Sequence, residues 1–450
     1  MSVPAWLSAP FIEKALRRSE NDDSICIVDC SIKPATNKGD NYTSDMHRVT
    51  VEYRHNQGAK AVTEKISIIV KVAPTAEGIH KDLIAEAGLF GIEIKMMTTT
   101  LKEMQLILKD KKLSGRCLYT QEKDPPLLII EDLAPLGFRM ADRQAGLDLH
   151  HCILALRGLA KFHASSVAVY EKTPKYKETY VKGIFNTGNP PDMIRFFTSG
   201  MKSLAKAVKS WPELDDTYAD KLDKLADVAY ERASESRTPD ESEFNVINHG
   251  DFWVNNMLFK YNDDGKVIDH IFSCYVNNAM NSIVVDRIRL SRHSDYNIVL
   301  DFFILQIRLI YFHKFQVDFQ LCVYGSPAVD LAYFFNTSPS EEVLSKHTDN
   351  LIEEYVKVLS ETMKKIGCKR PPPSIADIKK SLVKRDVYGF VAACTILPIV
   401  MIDKSQAQNI EEIMGQDDGE FNNKSYENPI YKKTMLRRLP QWKAAGLLEA

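Results

Sequence analysis

The sequence lacks both a large net charge and a long uncharged apolar run. Its 58 basic side chains are balanced by 60 acidic ones, which leaves a formal charge of −2. A broad basic surface of the kind that holds nucleic acid or an anionic membrane is therefore not expected. No stretch of about eighteen apolar residues is free of charge, and the N-terminus lacks the apolar segment of a signal peptide. We expect no nucleic-acid partner, no membrane partner and no secretory route.

Closely spaced cysteine pairs are also scarce. Eight cysteines are spread over the chain, and only Cys26 and Cys30 have the spacing of metal ligands. Because no second close pair of cysteines or histidines completes a zinc site, a structural metal is not expected. Isolated cysteines are typical of a reducing compartment. The sequence therefore predicts a cytoplasmic location.

The hydrophobic pattern changes character once along the chain. Three short apolar or alternating runs between residues 25 and 72 predict a small antiparallel sheet, and helical spacing over 81–111 predicts a helix behind it. PPLLIIEDL, residues 125–133, predicts one more buried strand, after which long amphipathic helices follow. A chain of 450 residues with 44% hydrophobic content exceeds the usual size of a single core. We predict an α+β fold of two lobes, residues 1–133 and 134–450.

The segment NHGDFWVNNMLF, residues 248–259, carries the strongest functional signal. A kinase catalytic loop needs a carboxylate that orients and deprotonates the acceptor hydroxyl, followed by an amide whose carbonyl oxygen binds magnesium. Asp251 and Asn256 have the spacing of these two groups. The alternative is an Asp-capped turn before a strand.

A second acidic signal lies in VDFQLCVYGSPAVDLAYFF, residues 317–335. Asp318 stands at a strand end, where a carboxylate can bridge magnesium to the phosphates of ATP. Asp330 opens an apolar helix, which it either caps or links to the catalytic-loop backbone by hydrogen bonds. Asp-Phe-Gln alone is a weak match, but its position downstream of His-Gly-Asp strengthens it. The predicted catalytic set is Asp251, Asn256 and Asp318, of which the last two are the metal ligands.

Lys71 lies within the apolar strand SIIVKVAP, where an unpaired charge would be costly. In kinases, ATP phosphates and a helix glutamate together compensate such a lysine. Glu93 is the predicted partner and Glu86 its competitor, because both fall in the helix that follows. The alternative is a strand-end lysine whose ammonium group reaches solvent.

Weaker signals complete the predicted nucleotide site. NKGDNYTSDMHRV, residues 37–49, connects two strands where a phosphate-covering loop is expected, but it has a single glycine. Asn41 and Ser44 are its candidate cofactor-binding residues, and an ordinary hairpin turn has equal weight. Glu131 and Leu133 close a strand at the lobe boundary, where the linker backbone can hydrogen-bond adenine.

The ordered set of motifs resembles the insect ecdysteroid-kinase-like family, also called CHK-kinase-like, which is related to choline kinases and aminoglycoside phosphotransferases. The similarity extends over most of the chain and rests on GDNYTS, Lys71, IIEDL, GLAKFHA, HGDFWVNN, VDFQ and SPAVDLAYF. It implies a protein-kinase-like fold, ATP and Mg2+ as cofactors, and phosphorylation of an alcohol group on a small molecule. Members are associated with ecdysteroid hormones, and some with hydroxylated xenobiotics.

The resemblance also implies roles for individual residues. Asp251 would be the base, and Asn256 and Asp318 would hold the metal. Lys71 would contact the phosphates, and Glu131 to Leu133 would form the linker on the adenine side.

One departure from the family pattern interrupts the predicted site. In kinases of this class, the catalytic loop leads through a β-hairpin directly into the metal aspartate. Here MLFKYNDDGKVIDHIF supplies the hairpin, with an Asp-Gly turn, but residues 273–316 stand before VDFQ. This insert has neither glycine nor proline. We hypothesise that it is an intron translated in frame rather than an evolved loop, and transcript reads that cross from 272 to 317 would distinguish the two.

The sequence thus predicts an ATP-dependent kinase that phosphorylates a hydroxyl group of a small apolar alcohol, with an ecdysteroid-like acceptor favoured by the resemblance. The rival prediction is a catalytically inactive small-molecule binding protein with a kinase fold. A protein kinase is disfavoured because no Ala-Pro-Glu segment follows Asp318. A small-molecule alcohol is the expected partner, and no obligate protein partner is implied.

Overall fold

The computed structural model describes residues 3–35, 44–74, 85–109, 111–273, 319–402 and 424–449. In these ranges the predicted α+β class is confirmed, because a five-stranded antiparallel sheet precedes a mainly helical portion. The predicted site residues Asn41 and Asp318 lie outside the described residues, as does all of the predicted insert after Ser273.

The five-stranded sheet is built from the N-terminal third of the chain. Its strands are β1 (Cys26–Pro34), β2 (Asp45–Gln57), β3 (Lys60–Val72), β4 (Cys117–Gln121) and β5 (Leu127–Glu131). Their order in the sheet is β1-β2-β3-β5-β4, with all neighbours antiparallel. The sequence predicted four of these strands with shifted ends and did not predict β4.

Side-chain alternation along β3 separates two apolar clusters. Ile68 and Val70 pack on one face with the N-terminal helix α1 (Ala9–Glu20). Ile69 belongs to the cluster on the opposite face, and Lys71, two residues further, points to that same face. The strand pattern therefore aims the Lys71 side chain at the helical layer behind the sheet.

That helical layer is a run over 89–108. It consists of α2 (Leu89–Lys95), a π-helical turn (Met96–Thr100) and α3 (Leu101–Leu108). The apolar spacing predicted this helix, and Phe90 and Ile94 bury their side chains in the same cluster as Ile69.

The remaining helices form the larger portion of the molecule. They are α4 (Leu149–Lys172), α5 (Tyr176–Thr179), α6 (Pro191–Lys209), α7 (Asp216–Ser236), α8 (Ala328–Thr337), α9 (Glu341–Ile366), α10 (Ile375–Lys384), α11 (Asp386–Thr395), α12 (Leu397–Met401) and α13 (Pro429–Ala444). Helix α4 is long and apolar enough to cross a membrane, but 78% of its apolar window is buried in the fold. It is the central core helix.

Two small sheets position the catalytic loop. Strands β8 (Met257–Tyr261) and β9 (Val267–Phe272) form the predicted antiparallel hairpin, and β6 (Phe138–Arg139) pairs with β8. Strand β7 (Val246–Asn248) pairs with β10 (Val323–Gly325). The loop with the His-Gly-Asp motif runs from β7 to β8, so it is anchored by a strand at each end.

Candidate active site

The predicted base Asp251 lies in this loop, with 1% of its surface exposed. The Asn256 Nδ2 group donates to Asp251 Oδ2 at 2.7 Å and to the Asp251 backbone oxygen at 2.8 Å. The Trp253 indole Nε1 donates to the same Oδ2 at 3.1 Å. Two N–H donors therefore fix the orientation of one carboxylate oxygen.

Helix α8 contributes a further contact to Asp251. Burial and the nearby Asp251 carboxylate raise the pKa of the Tyr333 phenol well above its usual range. The Tyr333 hydroxyl therefore stays protonated and hydrogen-bonds to Asp251. Neither Trp253 nor Tyr333 was predicted from the sequence as a partner of the base, and both side chains are buried.

Only one of the two polar groups of the Asn256 amide is used in the contact with Asp251. Its Nδ2 is used by Asp251, while its buried Oδ1 has no hydrogen-bond partner among the described residues. A buried carbonyl oxygen without a partner is uncommon and costly. Amide carbonyl oxygens are among the ligands of Mg2+. The geometry of Asn256 thus fits the predicted role of a metal ligand.

A buried carboxylate beneath the loop holds its backbone. Asp330 Oδ2 accepts from the His249 backbone N–H at 2.7 Å, and Asp330 Oδ1 accepts from Gly250 at 2.8 Å. Of the two roles predicted for Asp330, the contact with the loop is therefore observed. His163 bridges Asp330 Oδ2 at 3.0 Å and the Tyr355 hydroxyl at 2.8 Å, so both of its ring nitrogens are paired. His163 is a satisfied core histidine.

Gly250 is required by both its conformation and its surroundings. Its φ is +80°, a region that residues with a Cβ rarely adopt. A Cβ at this position would lie 1.9 Å from the backbone oxygen of Leu321. The loop and the chain around Leu321 therefore pack backbone against backbone.

Lys71 forms a fully buried ion pair with Glu93. Lys71 Nζ lies 2.9 Å from Glu93 Oε1 and 2.8 Å from Glu93 Oε2, and each residue is 1% exposed. The competitor Glu86 is exposed. A buried pair of this kind is compensated only with good geometry and further hydrogen bonds.

One such hydrogen bond comes from Gln320, a residue that was not predicted from the sequence to belong to the site. Gln320 Nε2 donates to Glu93 Oε2 at 2.9 Å, and the residue is 2% exposed. The feature of the sequence that could have identified Gln320 is a long polar side chain in the otherwise apolar segment FQLCVY.

The 3-10 turn Phe319–Leu321 connects the two groups of residues. The Phe319 ring lies 5.0 Å from the His249 ring, measured between centroids. Gln320 contacts Glu93, and the Leu321 backbone lies against Gly250. The Lys71–Glu93 pair and the Asp251 loop are thus linked through three consecutive residues.

Three other residues that were predicted to bind ATP, namely Ser44, Glu131 and Leu133, lie within the described ranges. Ser44 is buried just before β2, and Leu133 is buried after β5. The Glu131 carboxylate accepts from the Arg116 backbone N–H at 3.0 Å and from Lys112 Nζ. Their roles toward ATP stay predictions.

Two buried histidines lie near the loop. Neither ring nitrogen of His249 or His270 has a hydrogen-bond partner within the described part of the chain. Burial lowers the pKa of His249 to about 4 and that of His270 well below its usual value. Both imidazoles are therefore neutral at pH 7, and His249 serves as an aromatic side chain against Phe272 and Phe319.

Comparison with known proteins identifies a family for this arrangement. Residues 38–290 and 313–368 match the model of the ecdysteroid kinase-like family, which is more than half of the chain. The matched ranges include Lys71, Asp251 and Asp318. The stretch between the two ranges is not matched, and it lies inside the predicted insert. No curated protein sequence matches the chain significantly.

Among solved structures, one similar chain is a protein of Ralstonia eutropha JMP134 that is provisionally named an aminoglycoside phosphotransferase. The two share 11% sequence identity, with a TM-score of 0.39, over 88% of this chain and 96% of the other. A likeness at this level carries no further conclusion.

Proposed function

This chain belongs to the ecdysteroid kinase-like family, and we propose that it transfers the γ-phosphoryl group of ATP to a hydroxyl group of a small molecule. The proposed acceptor is an ecdysteroid-like or other small apolar alcohol, a choice that rests on the family alone. A small-molecule acceptor requires no nucleic acid, membrane or obligate protein partner.

The observation that carries the proposal is the turn Phe319–Leu321. It contacts the buried Lys71–Glu93 pair through Gln320 and the Asp251 loop through Leu321. Phosphoryl transfer needs a cation on the phosphates and a base on the acceptor, both held in one frame. This turn supplies such a frame.

The residues have distinct roles in the proposed reaction. The acceptor oxygen forms a bond to the γ-phosphorus, the bond from phosphorus to the β–γ bridging oxygen breaks, and ADP leaves. Asp251, oriented by Asn256 and Trp253, accepts the hydroxyl proton. Lys71, held by Glu93, neutralises negative charge on the phosphates.

Mg2+ is the metal that this chemistry implies. When bound, it neutralises charge on the β- and γ-phosphate oxygens. Asn256 Oδ1, the buried oxygen left without a partner among the described residues, fits as one ligand. Asp318 is the second proposed ligand.

The cysteines support a proposed location in the cytoplasm. The seven cysteines in the described ranges are free thiols. Free thiols persist in a reducing compartment, whereas secreted domains commonly pair them.

A second candidate function is small-molecule binding without catalysis. It is favoured by one observation, the insert at 273–316 between the proposed base and the proposed metal aspartate. An insert at this point lengthens the chain between two carboxylates that must act on one phosphate group.

The test is ATP turnover by the purified chain, with and without residues 273–316. The acceptor panel contains ecdysteroids, choline and phenolic glycosides, and ADP release is measured against each acceptor. We expect acceptor-dependent turnover that Asp251→Asn reduces by at least about a hundredfold. The matched control is Asp263→Asn in the exposed hairpin turn, which should keep full activity.

The outcomes separate the two candidates. Turnover only in the shortened chain supports the kinase and identifies the insert as its block. Folded protein that binds an acceptor but releases no ADP in either form supports the binding protein instead.

A further inference from the structure

Gln320 stands where the Lys71–Glu93 pair meets the segment that follows the insert. Its Nε2 lies 2.9 Å from Glu93 Oε2, the same oxygen that accepts from Lys71 Nζ at 2.8 Å. Because a carboxylate oxygen only accepts, the group of Gln320 that faces it is the amide N–H2. The assignment of the Gln320 amide is therefore fixed by its neighbour.

The Glu93 carboxylate receives three N–H contacts in the described structure. Lys71 supplies one to each oxygen, and Gln320 supplies the third. Hydrogen bonds to a buried charge are stronger than neutral ones and restrict its orientation. The third donor keeps the carboxylate from turning about its terminal bond, and this in turn fixes Lys71 Nζ.

The position of Gln320 is itself held on both sides. The Phe319 ring packs against Phe162 and His249, with centroid distances of 6.0 Å and 5.0 Å. On the other side, the Leu321 backbone lies against Gly250. Gln320 thus links the position of Glu93 to that of the loop that carries Asp251.

We infer that Gln320 is a positioning residue that aims Lys71 at the phosphates by fixing Glu93. The inference rests on the proposed function, because it assumes that Lys71 meets the phosphates of ATP. It adds that the lysine is coupled to the segment of the proposed metal ligand Asp318, two residues before Gln320.

The test compares Gln320→Leu, Gln320→Met and Gln320→Glu in the full chain. Binding of the non-hydrolysable analogue adenylyl imidodiphosphate is measured by calorimetry at two Mg2+ concentrations, and the KM for ATP is measured wherever turnover is present. We expect Gln320→Leu to weaken analogue binding about tenfold. Gln320→Glu should be weaker still, because it places a second carboxylate against Glu93.

Gln320→Met keeps the length and flexibility of the side chain but removes its N–H donor. It should weaken analogue binding about as much as Gln320→Leu does, whereas a role in packing alone would let Met keep the affinity of the unchanged chain. The matched control is Asn189→Leu, which removes a buried amide bonded to Gly183, Ile184 and Tyr230. It should lower stability and leave analogue affinity unchanged.

The outcomes distinguish this inference from the proposed function. If the unchanged chain binds the analogue and Gln320→Leu binds it with equal affinity, the role of Gln320 is overturned and the proposed function is not. A Gln320→Met variant with the affinity of the unchanged chain overturns it as well. An unchanged chain that binds no analogue, with or without residues 273–316, overturns the proposed function and this inference with it.

Discussion

Phe272 and Phe319 pack together with ring centroids 5.9 Å apart, although the first precedes the predicted insert and the second follows it. Both rings also contact His249, at 5.4 Å and 5.0 Å. The chain before the insert and the chain after it therefore share one aromatic cluster.

Deletion of residues 273–316, which joins Phe272 to Val317, should leave this cluster and the fold intact. The shortened chain also loses a long closed loop, whose entropy opposes folding. We expect cooperative unfolding at a midpoint no lower than that of the full chain, measured by thermal denaturation. A Gly/Ser linker of equal length in place of the insert separates the effect of loop length from that of its apolar sequence. Aggregation of the deletion variant alone would show that the insert is part of the fold.

Asp330→Asn should damage both stability and catalysis. The amide replaces one accepting oxygen by a donor, which would face the backbone N–H of His249 or Gly250. We expect the free energy of unfolding to fall by about 2–4 kcal/mol. Misplacement of the loop should lower kcat about a hundredfold. Urea denaturation and steady-state kinetics measure the two effects, and Asp220→Asn on the exposed side of α7 is the control that should change neither.

Acidification should lower the free energy of unfolding, because His249 binds a proton more readily in the unfolded chain than in the folded one. An imidazole has a pKa of about 6.5 in the unfolded chain, and burial lowers the His249 pKa to about 4 in the folded one. Because the unfolded state binds the proton more readily, the contribution of neutral His249 to the free energy of unfolding is fully present above pH 6.5. This contribution is lost as the pH falls toward 4, and the free energy of unfolding decreases by about 2 kcal/mol between pH 7.5 and pH 5.

The measurement is urea denaturation at these two pH values. His249→Phe keeps an aromatic ring against Phe272 and should lose less stability on acidification than the unchanged chain. His150→Gln, at an exposed position, should behave like the unchanged chain. Equal losses in all three proteins would assign the acid sensitivity to other groups, with buried His270 the first to examine.

The close packing of Gly250 against the Leu321 backbone can be tested by comparing Gly250→Ala with Gly265→Ala. Both glycines have positive φ, +80° and +77°. A Cβ at Gly265 has open space, whereas one at Gly250 would meet the Leu321 backbone oxygen at 1.9 Å. Gly265→Ala should cost about 1 kcal/mol for conformation alone. Gly250→Ala should cost about 3 kcal/mol or more because backbone must move against backbone. Equal costs in denaturation experiments would contradict the packing of the loop against this turn.

The sequence was most informative where function depends on residues close together in the chain. Asp251 and Asn256 lie in one loop, and their spacing alone identified them as the candidate base and metal ligand. The structure adds the 2.7 Å contact from the Asn256 amide to the Asp251 carboxylate. The β8–β9 hairpin follows from two apolar strands around an Asp-Gly turn, a local pattern of the same kind. For Lys71, the apolar strand predicted the need for an anionic partner but left two glutamates open.

Tertiary packing decided the contacts between distant residues. It selected Glu93 over Glu86, because Glu93 lies in α2 and is buried against Lys71, whereas Glu86 precedes that helix and is exposed. It also brought Gln320 to Glu93, Tyr333 to Asp251 and Asp330 to the loop backbone. None of these pairs has a periodic signal, since each depends on how separate elements pack around one core. The sequence by itself determined which chemical groups are present and in what order, and only the fold determined which of them meet.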